Sequence, residues 1–124
     1  MVNLIAVGIG GAIGAIARYL MGRAVHQWVP GGFPYGTFTV NVIGCLAFGL
    51  IVGLAESRLE ISPIGRTFLL VGVLGGFTTF SSFSFESYDL IRSGQLVSAV
   101  VNVIGQVALG FVALVAGILL GRAS

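Results

Sequence analysis

The chain has 124 residues, of which 56% are hydrophobic and only 8% are charged. A soluble domain has about a quarter of its residues charged, so this composition predicts an integral membrane protein and leaves almost nothing for a soluble domain. The net charge of +2 is the balance of six scattered arginines and four acidic residues, which is too little basic charge for a nucleic-acid surface. One Cys45 and one His26 argue against a metal site built from cysteine and histidine. We therefore expect residues 1–124 to form a single transmembrane domain.

The first predicted span covers residues 4–21 and is long enough to cross a bilayer as a helix. Gly10 and Gly14 are four residues apart, a spacing of small residues that lets two membrane helices approach closely. Arg18 falls on the last turns of this span, where an arginine can reach the interface or face a wet cavity. A turn-rich connection, including Arg23 and Trp28, is expected to follow.

The second predicted span covers residues 36–55, which include no charged residue. Thr37 and Asn41 are four residues apart and therefore share one helix face. Two interpretations of Asn41 are open. It is either a hydrogen-bond clamp between helices, as membrane amides often are, or a polar group that lines a pathway. Residues 56–66 carry both signs of charge and are expected to form a loop.

The third predicted span, residues 67–91, has an unusual centre at residues 75–84. Two glycines there free the backbone to leave helical geometry, and five hydroxyl side chains in residues 78–84 compete for backbone hydrogen bonds. In hydrocarbon, a broken helix survives only where protein or a water-filled cavity surrounds it, and broken membrane helices often hold ions. This stretch predicts a break in mid-membrane and the working site of an ion pathway. The alternative is a continuous helix whose hydroxyls only pack against neighbours.

Glu86 follows this stretch at helical spacing from the preceding hydroxyls. It lies four residues after Ser82 and five after Ser81, so the three side chains can form one polar track on a helix. The alternative interpretation is that Glu86 only marks the water boundary.

The fourth predicted span covers residues 95–121 and is uncharged. Asn102 and Gln106 are four residues apart and face the same way. Two amides near mid-membrane are costly unless they bond to another helix or to a permeating species.

The arginines predict an unusual topology. Four spans place both termini on one side, with three arginines on that side and three on or near the other. Orientation normally follows an excess of basic residues in cytoplasmic loops, and this chain has none. We therefore expect insertion in both orientations and an antiparallel homodimer, because four short helices alone enclose too little space for a pore.

Three motifs resemble the CrcB/Fluc family of fluoride channels over the whole chain. They are residues 75–86 (Gly-Gly-Phe-Thr-Thr-Phe-Ser-Ser-Phe-Ser-Phe-Glu), 36–41 (Gly-Thr-Phe-Thr-Val-Asn) and 10–19 (Gly-Gly-Ala-Ile-Gly-Ala-Ile-Ala-Arg-Tyr). The resemblance implies an all-α membrane protein of four transmembrane helices with the third broken, assembled as a dual-topology antiparallel homodimer with two pores. It also implies a passive channel that lets fluoride leave the cell across the inner membrane.

The resemblance further implies roles for individual residues. A structural sodium ion on the dimer axis would be held by backbone carbonyls of Gly75 and Thr78 from both subunits. The implied vestibule residue is Arg18. The implied pore-lining residues are Phe80, Phe83, Asn41, Thr37, Ser81, Ser82 and Glu86. The family often has tyrosine and serine where this chain has Asn102 and Gln106, which keeps hydrogen-bonding capacity but changes shape.

Other function classes fit the residues less well. A small multidrug exporter also has four spans, but it would need an ionisable residue inside the membrane, typically an acid in the first helix, and the first span has none. A non-transporting membrane subunit would explain the packing glycines but not the costly break. An enzyme fits least, because no nucleophile–base pair or metal constellation is present.

Overall fold

The structure, a computed structural model, describes all 124 residues and is helical outside short connections. Its elements are α1 (Val2–Trp28), α2 (Tyr35–Ser57), α3 (Pro63–Arg66), a π-helical stretch (Thr67–Leu74), α4 (Gly75–Phe77), α5 (Phe80–Arg92) and α6 (Leu96–Ala123). Four segments are long and apolar enough to cross a membrane, namely Val2–Trp28, Tyr35–Ser57, Pro63–Arg92 and Leu96–Ala123. The prediction of an all-α protein with four spans and an interrupted third span is confirmed.

The helices are longer than the sequence suggested. The first helix does not end at residue 21 but runs to Trp28, so Arg23 and Trp28 belong to α1 rather than to a connection. Nothing before Pro30 forces a stop, since proline is the residue that a helix interior excludes. The second connection is also shorter than residues 56–66, because α3 begins at Pro63.

The start of the third span follows ordinary capping chemistry. Pro63 occupies the first turn, where its missing N–H costs nothing, and the Ser62 hydroxyl accepts a hydrogen bond from the Gly65 amide at 3.1 Å. The next eight residues, Thr67–Leu74, wind as a π-helix before α4.

The spans pack in pairs through glycine. α2 lies mainly against α6, and α1 lies mainly against the first half of the third span. At Gly49 and Gly53 of α2, an added Cβ would overlap the carbonyl oxygens of Leu114 and Ile118 in α6. Gly10 and Gly14 of α1 are equally close to the third span, where the backbone contacts come from the π-helical stretch and α4. The small residues at four-residue spacing therefore set the distances between helices.

Most of the surface is apolar. Only 18 of the 124 residues are buried in the single chain. Isoleucine, leucine, valine and phenylalanine side chains project outward from all four spans. A surface of this kind suits lipid rather than water.

We expect substitution of Gly49 by alanine to loosen the α2–α6 contact. The added methyl has no room beside the Leu114 carbonyl, and such overpacking typically costs about 1–3 kcal/mol. The matched control is Gly8→Ala, because nothing lies within 4 Å of a Cβ at that position. The measurement is the free energy of unfolding in mixed detergent micelles. Equal stability of the two variants would contradict this account of the packing.

Candidate functional site

The third span breaks at Thr78 and Thr79. Both residues are extended, with φ and ψ of −82° and 158° at Thr78 and −147° and 119° at Thr79. The Thr78 amide still donates to the Leu74 carbonyl at 3.0 Å, which closes the first half of the span. The Thr79 hydroxyl accepts from the Ser82 amide at 3.2 Å and so caps α5. The break therefore lies within residues 75–84, as the sequence predicts.

Asn41 of α2 pairs with the broken backbone. Its Oδ1 accepts a hydrogen bond from the Thr79 amide at 2.9 Å, and its Nδ2 donates to the Thr79 carbonyl at 3.0 Å. One carboxamide thus replaces the two partners that Thr79 loses by leaving the helix. Without such a partner, each backbone group would cost several kcal/mol in hydrocarbon. Of the two interpretations of Asn41, the clamp is what this geometry shows, although Asn41 also borders a cleft.

The hydrogen bonds continue from Asn41 into α6 and back to α5. Asn41 Nδ2 also donates to Gln106 Oε1 at 2.8 Å, and Gln106 Nε2 donates to Asn102 Oδ1 at 2.8 Å. Asn102 Nδ2 donates to Ser87 Oγ at 2.9 Å, and Ser87 donates to the Phe83 carbonyl at 2.7 Å. We call these four side chains, Asn41, Gln106, Asn102 and Ser87, the amide relay. The two amides of α6 are thereby bonded to other helices.

An open cleft of ≈ 440 Å³ lies beside the break, and we call it the aromatic cleft. The rings of Phe80 and Phe83 have centroids 5.7 Å apart and are tilted by 51°. Phe80 is 79% exposed in the single chain, whereas Phe83 is 9% exposed. The lining residues are Asn41, Gly44, Cys45, Phe48, Thr78, Thr79, Phe80, Phe83, Gln106, Val107 and Leu114.

Phe77 does not belong to this aromatic pair, although it shares their three-residue spacing. It is 7% exposed, and its ring lies against Gly44 of α2. The break separates Phe77 from Phe80, so the spacing does not place them on one helix face.

A second cleft, of ≈ 490 Å³, is lined mainly by polar residues and glycine, and we call it the polar vestibule. Thr37 Oγ1 donates to Glu86 Oε1 at 2.8 Å. The other carboxylate oxygen of Glu86 is buried and has no partner in the chain. Thr79 lines both clefts. The lining residues are Arg18, Tyr19, Gly22, Arg23, His26, Gly32, Pro34, Gly36, Thr37, Val40, Thr79, Ser82 and Glu86.

The residues expected in the polar track are only partly brought together. Thr37, Ser82 and Glu86 line the polar vestibule. Ser81 is exposed on the outside of α5 and lines neither of the two clefts, with its hydroxyl oxygen 3.5 Å from the Thr79 hydroxyl oxygen. Arg18 does line the vestibule, and its Nε also donates to the Gly76 carbonyl at 3.1 Å.

The break leaves backbone carbonyls without their usual partners. The Thr78 carbonyl accepts no hydrogen bond from within the chain. The Gly75 carbonyl loses its usual i+4 donor, because the Thr79 amide is bonded to Asn41. No cluster of three or more His, Cys, Asp or Glu side chains is placed to hold a metal. Carbonyl oxygens are hard ligands that suit small, hard cations, so the Gly75 and Thr78 carbonyls are chemically suited to a sodium ion.

Sequence reasoning missed Ser87. A serine one turn after Phe83 on an amphipathic helix resembles many surface serines, and only the fold brings it to Asn102. The sequence offers one indication of this contact, namely that Ser87 and Asn102 are both polar residues in apolar spans.

Comparison with known proteins identifies the family. The family model described as "CrcB-like protein, Camphor Resistance (CrcB)" matches residues 5–118. The chain belongs to the CrcB family. Among its CrcB relatives is the "Fluoride-specific ion channel FluC" of Maridesulfovibrio salexigens, which is 49% identical over 91% of this chain and 90% of the relative. Proteins of the same name from Nitratidesulfovibrio vulgaris and Chloroflexus aurantiacus are 44% and 43% identical. Each match covers 98% of this chain, with 98% and 97% of the relatives covered.

We expect Asn41→Leu to destabilise this CrcB protein, because it leaves the Thr79 N–H and C=O without partners. Each buried group left unpaired typically costs about 1–3 kcal/mol. The measurement is again the free energy of unfolding in mixed micelles. The matched control is Asn3→Leu, since Asn3 is exposed near the start of α1. Equal stabilities of the two variants would show that Asn41 does not hold the break.

Proposed function

We propose that the chain is a fluoride-selective passive ion channel that exports fluoride across the cytoplasmic membrane and so gives resistance to fluoride toxicity. With its four spans, it is a multi-pass protein of the cell inner membrane. The observation that carries the proposal is the break at Thr78–Thr79, which lies between the aromatic cleft and the polar vestibule. CrcB relatives named as fluoride-specific channels supply the identity of the ion.

The chemistry of the two clefts suits a small anion. Fluoride is strongly hydrated, so a pore must replace its water with comparable partners. Aromatic rings have positive edges, so Phe80 and Phe83 can meet an anion edge-on. From there, the ion would pass to the hydroxyl groups beyond the break. Ser82 lines the vestibule, and its hydroxyl has no acceptor within the chain.

Arg18 gives the vestibule a fixed positive charge. Its guanidinium borders the cleft and is anchored by the hydrogen bond to Gly76. Arg18 and Arg23 line the vestibule together with one carboxylate, that of Glu86, so the formal charge of its lining is net positive. A net positive cleft raises the local concentration of anions. Arg18 would therefore favour anions at this mouth, together with Arg23.

The functional unit is an antiparallel homodimer with two pores. The single chain exposes Ser81 and Ser84 on the middle of a membrane helix, and it leaves Phe80 79% exposed. Hydroxyl groups that face hydrocarbon lose their hydrogen-bond partners, so a second copy is a better neighbour for this face than lipid. A two-fold contact uses the same patch from both subunits, and the even distribution of arginines is compatible with opposite orientations.

A structural sodium ion at the dimer axis would be held by the carbonyls of Gly75 and Thr78 from both subunits. Their fit rests on the missing intrachain partners at the break. When bound, the cation supplies positive charge that neutralises carbonyl dipoles turned toward each other across the axis. The chain is not proposed to be an enzyme, because an ion conductor needs no covalent chemistry.

We expect Phe80→Ile and Phe83→Ile each to cut fluoride efflux from proteoliposomes by about tenfold or more, a factor that corresponds to roughly 1.4 kcal/mol. Isoleucine keeps the bulk but lacks the positive ring edge. Wild-type protein should release fluoride fast and chloride little. The control is Phe111→Ile, since Phe111 is 67% exposed and lines neither cleft. Normal fluoride efflux through Phe80→Ile would remove the ring from the pathway. No efflux from folded wild-type protein would overturn the channel proposal.

We expect replacement of sodium by a bulky organic cation to weaken the dimer. Without the cation, the carbonyls of the two breaks would face one another unpaired. In low-dielectric surroundings, unpaired polar groups of this kind raise the free energy of the dimer. The measurement is subunit exchange between two fluorophore-labelled pools in micelles, which should accelerate without sodium and return to its original rate when sodium is restored. An exchange rate independent of sodium would contradict the assignment of Gly75 and Thr78.

A further inference from the structure

The polar vestibule contains the one histidine of the chain. His26 lies in the last turn of α1 and lines the vestibule together with Arg18 and Arg23 of the same helix. The channel proposal uses the two arginines and leaves His26 without a role. Histidine is the side chain whose ordinary pKa lets its charge change between pH 5 and 8. The charge of this cleft can therefore follow pH in a range that cells experience.

The three basic side chains lie at two depths along α1. Arg23 and His26 are three residues apart, so they are neighbours on the helix surface, and both are exposed. Arg18 lies two turns before His26, is half-buried, and is held by its hydrogen bond to the Gly76 carbonyl. The vestibule thus has a permanent charge at its inner part and a charge that can change with pH near its mouth.

The other groups that face this cleft determine what a proton on His26 changes. α1 also contributes Tyr19, a phenol that is neutral at these pH values, and α5 contributes the carboxyl group of Glu86. The lining residues from α2 and from the connection before it are uncharged. Two arginines against one carboxylate leave one net positive charge, and a protonated His26 raises the net charge to two.

We propose that His26 is a proton-dependent entry residue, whose protonation doubles the net positive charge of the vestibule and raises the rate at which fluoride enters from the side that the vestibule faces. This inference rests on the proposed fluoride channel and adds control by pH to it.

The chemistry of fluoride gives such control a use. Hydrocarbon excludes the bare ion, whereas the neutral acid HF crosses lipid and then releases a proton and a fluoride ion in the same compartment. The proton that arrives with fluoride would charge His26 of a vestibule on that side. Acid loading by HF would therefore speed the removal of the fluoride that came with it.

The expected effect is moderate and depends on salt. One unit charge acting across several ångströms of water changes the local concentration of a monovalent anion by roughly two- to fourfold. The Debye length falls from about 30 Å at 0.01 M ionic strength to about 8 Å at 0.15 M. Because His26 is exposed, its effect on fluoride entry should be largest at low ionic strength.

The first test measures fluoride efflux from proteoliposomes at equal pH on both sides, with sucrose as osmolyte. Leak of HF through lipid is measured on protein-free liposomes and subtracted. At about 0.01 M ionic strength, we expect wild-type efflux to rise roughly two- to fourfold from about pH 7.5 to about pH 5.5. His26→Gln should remove most of this rise. His26→Arg, which is charged throughout, should conduct at the higher pH as fast as the wild type at the lower pH.

The matched control moves the histidine by one residue. The double variant His26→Gln/Gln27→His has the same composition, and its histidine stands at an exposed position that does not line the vestibule. Its efflux should depend on pH as weakly as that of His26→Gln. Glu86 is the other titratable group of the cleft with an acid pKa, and the pH dependence that remains in both variants measures its share.

The second test does not need conduction. With one histidine in the chain, ¹⁵N-histidine labelling gives a single imidazole to follow by NMR in micelles. If protonation favours the anion, the anion must favour protonation to the same degree. At about pH 6.5, exchange of sodium gluconate for sodium fluoride at equal ionic strength should therefore increase the charged fraction of His26. The histidine of the double variant should respond less.

The outcomes separate the two proposals. Absence of wild-type fluoride efflux at every pH overturns the channel, whereas the imidazole measurement tests anion binding beside His26 in either case. Equal pH dependence in the wild type and His26→Gln assigns the titration to Glu86 and overturns the role of His26. An imidazole charge that fluoride leaves unchanged overturns it as well. A pH dependence that is equally large at high salt contradicts an electrostatic effect of an exposed charge.

Discussion

A backbone that leaves helical geometry inside a membrane must find partners within the protein, because hydrocarbon offers none. Thr79 meets this requirement through Asn41, which returns one donor and one acceptor to the amide and carbonyl that the helix has released. The polar side chains of the protein interior can be understood from this pairing. Asn41 also donates a hydrogen bond to Gln106, Gln106 donates one to Asn102, and Asn102 donates one to Ser87.

The glycine contacts make this pairing possible. Asn41 reaches Thr79 only because α2 approaches the third span closely, and Gly44, one turn after Asn41, has no room for a Cβ against Thr78 and Phe77. Gly49 and Gly53 bring α6 equally close to α2, so Gln106 comes within hydrogen-bond distance of the same asparagine. Close packing and polar pairing therefore depend on each other, as is common where membrane helices contain small residues.

The sequence was informative where local chemistry decides the structure. Four apolar runs predict four spans, and two glycines next to a cluster of hydroxyls predict the break at the correct place. Helix ends were predicted less well, because α1 has no stop signal between residue 21 and Pro30 and so continues to Trp28. Phe77, Phe80 and Phe83 are spaced three residues apart, which on a continuous helix would place them near one face. The break changes the helical phase at Thr78, so Phe77 packs in the interior while Phe80 and Phe83 face the cleft.

The sequence did not predict which polar side chains form hydrogen bonds with one another. Spacing placed Thr37 and Asn41 on one face and Asn102 and Gln106 on another, but only the arrangement of three spans brings Asn41 between Thr79 and Gln106. The separate bonding of Thr37 to Glu86 shows the same dependence, since these residues are far apart in sequence and belong to different spans.

The length of α1 has a consequence for the membrane around the protein. A helix of 27 residues is about 40 Å long at 1.5 Å per residue, whereas the hydrocarbon core of a bilayer is about 30 Å thick. α1 therefore tilts or extends its Arg23–Trp28 end beyond the hydrocarbon, while α5, with 13 residues, spans much less. Thin and thick bilayers would tilt α1 by different amounts. Because Arg18 of α1 is bonded to the carbonyl of Gly76, two residues before the break, a change in the tilt of α1 would act on the helical turn that precedes the break.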